Sequence, residues 1–165
     1  MILALLSDYN GGEMKIAESD ISIKFAKDEQ FWDVEAFWRN TIKVGYARCE
    51  QQGDRLVISD LKVEDECSIP WPFGNGFLVI LGFAFRKVNF RGRGIGSKLL
   101  TRILSEATTT GMREVWGSVT QSDIAKTPGL LQWYEQMGFV VSEPHACIST
   151  AIKKITKKIS NKTQP

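Results

Sequence analysis

The segment Arg91-Gly92-Arg93-Gly94-Ile95-Gly96-Ser97 decides how this chain is interpreted, because three alternating glycines and two arginines lead directly into a helical pattern. After it, Leu99, Ile103 and Ala107 recur at four-residue spacing, which is typical of a helix that buries one face. Gly111 lies just past this pattern, where a left-handed cap is favoured. The sequence therefore predicts a glycine-rich loop followed by a core helix.

This loop has the features of a phosphate-binding turn. Glycines let the backbone approach a ligand closely, and the unpaired N–H groups at a helix N-terminus attract anions. Arg91 and Arg93 add forked donors that suit phosphate. The G-x-G-x-G spacing is neither a P-loop nor a dinucleotide fingerprint. A plain glycine-rich turn before a basic helix is the alternative. The expected binding residues are Arg91, Gly92, Arg93, Gly94, Ile95, Gly96 and Ser97.

Two motifs resemble the GNAT N-acetyltransferase superfamily. Arg91, Gly94 and Gly96 fall on its acetyl-CoA pyrophosphate loop, Arg-x-x-Gly-x-Gly, and 134–139 resembles its Tyr-x-x-x-Gly-Phe junction between helix and strand. The resemblance covers roughly residues 21–155. It implies an α+β fold whose mixed central sheet has an antiparallel N-terminal meander and a parallel crossover around the acetyl-CoA helix. The helices that usually follow the first strand are reduced here, because residues 27–31 leave no room for them.

The resemblance also implies a reaction and its residues. An acetyl or other acyl group would pass from acetyl-CoA, the cosubstrate, to a primary amine by direct attack, without a metal. Tyr134 matches the family tyrosine that protonates the departing thiolate, and a core aromatic is its alternative. Family members supply an oxyanion-binding N–H from the strand before the loop, here Val63 or its neighbours. Asp60 and Glu64 are the nearest candidate bases by position, and a solvated strand carboxylate is the alternative for each.

Alternating apolar residues predict four strands in the N-terminal half, over 21–25, 31–38, 41–49 and 56–63. Turns at Arg39-Asn40 and Gln52-Gly53-Asp54 separate the later ones, so an antiparallel meander is expected. Within the second strand, one face carries four apolar side chains: Trp32, Val34, Ala36 and Trp38.

The C-terminal half predicts a strand over 112–119, then residues 120–123 leading into a loop, and a helix with Thr127 as N-cap and Pro128 in its first position. Gly138 ends that helix, and strands at 139–141 and 146–155 form a hairpin. One face of the helix carries Leu130, Trp133, Tyr134 and Met137. The strand over 112–119 directly follows the core helix, so it can lie parallel to the strand that precedes that helix.

The segment 65–90 has two interpretations. Strand 56–63 resembles the superfamily strand that leads directly into the loop, which makes 65–90 an insertion. In the alternative, Phe77–Lys87 is that strand, and periodicity cannot decide because the run 77–85 is almost wholly apolar. We favour the insertion. Its aromatic residues either pack on the domain or shape an acceptor pocket or dimer contact.

Length and composition favour one domain at 21–155, with an N-terminal extension over 1–20 and a basic tail over 156–165. Met14 is an alternative start. The three cysteines form no Cys-x-x-Cys pair, which suits a reducing compartment and offers no zinc site. His145 is the only histidine and no nucleophile motif accompanies it, which argues against a triad hydrolase. The apolar start is too short for a signal peptide and no span is evident, so a cytoplasmic location without membrane partners is expected.

Three functions are compatible with these patterns. The first is an N-acetyltransferase acting on a small-molecule or protein amine, and the second is a non-catalytic acyl-CoA-binding regulatory module, against which Tyr134 argues. The third is a nucleic-acid binder, which the net charge of +2 disfavours. Neither the acceptor nor the acyl chain follows from the sequence. Exposed strand edges and the aromatic segment permit a homodimer.

Overall fold

The computed structural model describes residues 17–70, 85–143 and 151–159, which form a seven-stranded mixed sheet, a two-stranded sheet and three α-helices. The strands are β1 (Ile21–Lys27), β2 (Phe31–Trp38), β3 (Ile42–Gln52), β4 (Arg55–Val63), β5 (Cys67–Pro70), β6 (Phe85–Val88), β7 (Glu114–Thr120), β8 (Val140–Ser142) and β9 (Ala151–Lys158). The helices are α1 (Ile95–Thr109), α2 (Gln121–Lys126) and α3 (Leu130–Gln136), and a 3-10 turn at Glu18–Asp20 precedes β1.

The large sheet has the strand order β1-β2-β3-β4-β7-β9-β8. Strands β1 to β4 form an antiparallel meander, and β4 pairs with β7 in parallel. A three-residue turn joins β1 to β2, where the Asp28 side chain accepts hydrogen bonds from the N–H groups of Gln30 and Phe31. The predicted α+β class, its meander, its parallel crossover and the reduction of the helices between the first two strands are confirmed.

The meander buries the face that its alternating pattern predicts. Trp32, Val34 and Ala36 are fully buried in β2, and Trp38 is nearly so. Arg39 and Asn40 both adopt positive φ, which provides the tight turn expected between β2 and β3. The predicted strand bounds agree with the observed ones to within three residues.

Helix α1 packs across β1 to β4 and closes the core. Its buried stripe comprises Ile95, Leu99, Leu100, Ile103 and Ala107. Gly111 follows the helix with φ +72°, which is the left-handed cap expected from the sequence. The position and orientation of the loop before the helix are therefore set by core packing.

Two predictions for the segment after β7 are wrong. Residues 120–123 do not lead into a loop, because a capping box between Thr120 and Asp123 starts α2, which continues to Lys126. Helix α3 begins at Leu130 rather than at Pro128, and its N-cap is Gly129 in the left-handed conformation. Thr127 serves instead as the C-cap of α2.

The last strand differs from its predicted bounds. Strand β9 pairs with both β7 and β8 and ends at Lys158 rather than at Ile155, so the first residues of the expected basic tail are strand residues. Lys157 donates a hydrogen bond to the carbonyl oxygen of Met137 at 2.7 Å, which ties β9 to the end of α3. Predictions for residues 1–16, 144–150 and 160–165, including Met14 and His145, lie outside the described residues.

The β5–β6 hairpin bears on the two interpretations of 65–90. These strands pair with each other, while β4 occupies the place beside β7. Residues 71–84, which hold most of the apolar run, lie outside the described residues. The pairing supports the insertion, which stays a prediction.

Candidate active site

The glycine-rich loop ends in a set of free backbone donors. Gly92 and Gly94 adopt φ values of +71° and +73°, and Gly94 is the N-cap of α1 without a side-chain cap. The N–H groups of Ile95, Gly96 and Ser97 have no hydrogen-bond acceptor among the described residues. A helix N-terminus with three free donors attracts an anion.

The two arginines of the loop are partly held by the protein. The Arg91 guanidinium forms an ion pair with Asp65 and reaches the carbonyl oxygen of Lys126 at 3.5 Å. The Arg93 Nε donates to the carbonyl oxygen of Asn89 at 3.1 Å. Both side chains therefore brace the loop, and Arg91 links it to the segment that follows β4 and to the end of α2.

Trp133 of α3 fixes the approach of that helix to the loop. Its Nε1 donates to Ser97 Oγ at 3.1 Å. A Cβ added to Gly96 would lie 3.6 Å from the Trp133 ring and 3.8 Å from a methyl of Val63. These contacts frame a cavity of about 390 Å³ between the loop, β4 and the start of α3, lined by residues that include Val63, Gly94, Gly96, Pro128 and Trp133.

A slot opens through the large sheet beside this cavity. Strands β4 and β7 pair only over Arg55–Ile58 and Glu114–Gly117, and in the described chain they share no pair beyond these residues. The register of β4 against β3 shifts at Ser59, which forms a β-bulge. The slot holds a cavity of about 470 Å³, whose lining includes Asp60, Leu61, Val63, Ser118 and Tyr134.

The two cavities adjoin, because both are lined by the same five residues: Leu61, Val63, Arg91, Thr127 and Leu130. Backbone groups of β4 also face this space. The Glu64 N–H donates to the carbonyl oxygen of Val44 in β3. Hydrogen-bonded and non-hydrogen-bonded residues alternate along an antiparallel pair, so Val63 and Leu61 direct their own N–H and C=O groups away from β3. The predicted Val63 donor therefore lies at the edge of the slot.

Tyr134 reaches the slot from the α1 side of the sheet. It is 6% exposed, and its ring contacts Trp133 and Phe139. Burial raises the pKa of Tyr134 to about 12, with smaller contributions from the charges of Asp123, Cys49 and Asp60. Its hydroxyl has no hydrogen-bond partner among the described residues. It is therefore a protonated donor available to a ligand.

Asp60 lines the same slot and is exposed. Its Oδ2 accepts a hydrogen bond from the Tyr46 hydroxyl at 2.5 Å. That hydrogen bond is the main cause that raises the pKa of Tyr46 above its ordinary value. The other candidate base, Glu64, forms an ion pair with Lys62 at 3.1 Å.

Three features of this site were not predicted from the sequence: the roles of Tyr46 and Asp65, and the Trp133–Ser97 hydrogen bond. Tyr46 and Asp60 are 14 residues apart, and their contact depends on the strand register and on the bulge at Ser59. Alternation alone would place Tyr46 on the same face as the buried Val44, and a β-bulge at Val44 reverses this assignment. The expected hairpin between β3 and β4 was thus the one sequence signal for a Tyr46–Asp60 contact.

Comparison with known proteins identifies the family. The family model for the acetyltransferase (GNAT) family matches residues 4–139, which include the loop, the slot and Tyr134. This chain belongs to that family. GNAT membership assigns the chain to the transferases and agrees with the family resemblance of the loop. No curated protein matches the chain significantly.

Solved structures share the GNAT fold at low identity. The PaiA N-acetyltransferase of Thermoplasma acidophilum, solved with coenzyme A, has a TM-score of 0.52 and 14% identity, over 78% of this chain and 61% of its own. A Klebsiella pneumoniae protein assigned as an acyl-CoA N-acyltransferase has a TM-score of 0.56 and 10% identity, over 82% of this chain and 77% of its own. Nourseothricin acetyltransferase scores 0.53 at 14% identity, over 86% and 85%.

Proposed function

We propose that this GNAT protein transfers an acetyl or related acyl group from acetyl-CoA to a primary amine. The observation that carries the proposal is the continuity of two cavities, which joins the free N-terminus of α1 to the slot that holds Tyr134. A ligand with an anionic group at one end and a reactive thioester at the other fits this arrangement. The similar fold of the PaiA N-acetyltransferase, which was solved with coenzyme A, supports a CoA thioester as the cosubstrate.

The pyrophosphate of acetyl-CoA would bind at the loop. The N–H groups of Ile95, Gly96 and Ser97 supply donors, and the positive end of the α1 dipole adds attraction. Arg91 and Arg93 lie beside them, and the left-handed Gly92 and Gly94 shape the turn. The amides of the pantetheine arm match the free backbone groups of Leu61 and Val63.

The acyl transfer would then occur in the slot. The acceptor ammonium, held beside Asp60, first loses a proton to solvent through water that Asp60 orients, and the neutral nitrogen attacks the thioester carbonyl carbon. The new C–N bond pushes electrons onto oxygen, which the Val63 N–H stabilises. As the C–S bond breaks, the second amine proton is released and ends on the CoA thiol.

Tyr134 would assist the departure of the sulfur by donating a hydrogen bond. A phenol whose pKa is raised to about 12 stays protonated at neutral pH. Complete transfer of its proton to a thiolate whose conjugate acid has a pKa of about 8.5 is uphill. We therefore assign Tyr134 the role of hydrogen-bond donor to the developing thiolate, rather than the full proton transfer that the family resemblance implies.

A thermal-shift titration with acetyl-CoA and with CoA tests this proposal. At one hundred times Kd the ligand should add about 2.7 kcal/mol of stability, which raises the Tm of a chain of this size by roughly 5–10 °C. Arg93→Glu should weaken the response, whereas Lys158→Glu, at the far end of β9, should retain it. No shift at millimolar acetyl-CoA would overturn the proposal.

An amine screen that measures thiol release then separates the enzyme from a non-catalytic acyl-CoA-binding module. The identity of the acceptor, small molecule or protein, stays open in this proposal, as does a homodimer. Cys49 and Cys67 are free and buried, which supports a reducing, cytoplasmic setting.

A further inference from the structure

Tyr46 and Asp60 form a pair on the outer face of the sheet, at the mouth of the slot. In β3, Ala47 and Cys49 are buried, and a Cβ added to Gly45 would lie 3.4 Å from Ile95 of α1. Tyr46 alternates with these residues and therefore points to the opposite face. Asp60 is exposed on that same outer face, two residues after the last β4–β7 pair. Tyr134 contacts the slot from the inner side, so the pair and Tyr134 approach one space from opposite faces.

The charges around this pair leave Asp60 without a cationic partner. The neighbouring carboxylates on this face are each neutralised in a short ion pair, namely Lys62–Glu64, Lys43–Glu35 and Arg48–Asp33. Among the described residues, no cation lies within ion-pairing distance of Asp60. Lys126 and Asp123, one cation and one anion, also line the slot, so the charge of Asp60 is left in excess at its mouth.

The hydrogen-bonding capacity of the pair is one-sided. The Tyr46 hydroxyl donates its only proton to a hydrogen bond with Asp60 Oδ2. Its oxygen can therefore only accept a hydrogen bond from a further group. Asp60 Oδ1 is a second free acceptor, because an ionised carboxylate accepts at both oxygens. Two adjacent acceptors beside one negative charge complement an alkylammonium group, which has three donors and no acceptor.

We propose that Tyr46 and Asp60 together bind the ammonium group of the acceptor, an inference that rests on the proposed acetyltransferase function. The acceptor class is thus an alkylamine that arrives protonated and carries free N–H donors. Quaternary ammonium ions and neutral alcohols lack either the donors or the charge. Tyr46 contributes a contact to the substrate and holds one carboxylate oxygen in place.

Binding of n-butylammonium to the acetyl-CoA-free protein, followed by backbone amide NMR, tests the proposal without a known acceptor. We expect saturable shifts centred on Tyr46 and Asp60. Tetramethylammonium, which has the charge without donors, should bind about tenfold more weakly, and butan-1-ol should give no saturable shift. Equal affinity for the two cations would overturn the proposal, and this comparison needs no variant.

Three variants locate the site. Asp60→Asn should weaken n-butylammonium binding at least about tenfold, and Tyr46→Phe about threefold through the lost acceptor. Glu66→Gln removes the same charge from an exposed carboxylate that is paired with Lys87, and should leave the affinity unchanged. Unchanged binding in Tyr46→Phe, or equal losses in Asp60→Asn and Glu66→Gln, would contradict the assignment.

The CoA thermal shift separates this inference from the proposed function. If CoA raises the Tm and n-butylammonium leaves Tyr46 and Asp60 unaffected, the ammonium site fails and the acetyltransferase proposal stands. If n-butylammonium binds there and CoA gives no shift, the ammonium site stands and the acetyltransferase proposal fails.

Discussion

Arg91 lies at the junction of the two cavities, and its environment makes a test of its role possible. Its guanidinium is paired with Asp65, a carboxylate that would compete with a phosphate for the same donors. Asp65→Asn should therefore tighten CoA binding about threefold, the scale of a partly exposed ion pair. Isothermal titration measures this. Glu66→Gln, which removes a neighbouring carboxylate paired with Lys87, should have no effect.

The direction of the Asp65→Asn effect discriminates between two roles of Arg91. If Arg91 acts only as a brace between Asp65 and the Lys126 carbonyl, loss of the pair loosens the loop and CoA binding weakens. Weaker binding in Asp65→Asn would thus remove Arg91 from the phosphate-binding residues and assign it to loop positioning.

Tyr134→Phe tests the second site residue at the level of the reaction. The hydrogen bond to the developing thiolate exists only as the C–S bond breaks, so kcat should fall about tenfold with little change in KM for acetyl-CoA. Thiol release with an amine found in the screen measures both constants. Phenylalanine preserves the ring contacts with Trp133 and Phe139, and an unchanged kcat would show that the hydroxyl has no such role.

Among the secondary-structure elements, the contact between α1 and α3 shapes the cofactor cavity. Trp133 of α3 donates to Ser97 in the first turn of α1. Trp133→Phe and Ser97→Ala should each reduce the free energy of unfolding, and a double-mutant cycle should show a coupling of about 1 kcal/mol. Urea unfolding of the wild type, the two single variants and the double variant gives the four free energies of unfolding that the cycle needs. A coupling near zero would indicate that shape alone positions α3.

The strands and the core helix could be predicted because their signals are local. Alternation located β2 to within a residue, and the four-residue stripe located α1. The short helix α2 was missed because its six residues bury no side chain, so no apolar period marks it. Its one local signal was the Thr120-x-x-Asp123 capping box.

The candidate site was only partly accessible to sequence reasoning, for a physical reason. The loop residues carry their chemistry in their types and spacing, since glycine is needed at positive φ and arginine suits phosphate. The slot, in contrast, depends on where β4 and β7 separate, and the pairing of Tyr46 with Asp60 depends on a one-residue bulge. Register is a property of paired strands, and neither strand specifies it alone.

At the scale of the whole molecule, several of the residues that line the slot also belong to the hydrophobic core that stabilises the fold. Tyr134 belongs to the same cluster of buried residues as Cys49 of β3 and Leu99 of α1. Within the described ranges, no helix is both long and apolar enough to cross a membrane. Because the slot is lined by core residues such as Ile58 and Ile155, changes in core ionisation should affect the site and global stability together.

Two buried groups of this core predict how stability responds to alkali. Burial raises the pKa of Cys49 from 9.0 to about 12 and that of Tyr134 from 10.0 to about 12. For each group the pKa in the folded state exceeds the pKa in the unfolded state. Its contribution to the free energy of unfolding is therefore complete below the unfolded-state pKa and is lost as pH rises toward the folded-state pKa. By pH 11 the loss should be on the order of 1–3 kcal/mol for each group.

Urea unfolding followed by tryptophan fluorescence between pH 7 and about 11 measures this dependence. Wild-type stability should fall progressively above about pH 9. Cys49→Ala should be less stable at neutral pH, because it leaves a cavity, yet its stability should fall less steeply above pH 9. Tyr134→Phe should flatten the curve only above about pH 10. Parallel curves for all three proteins over the whole range would mean that neither group is buried in its neutral form, and the donor role of Tyr134 would lose its physical basis.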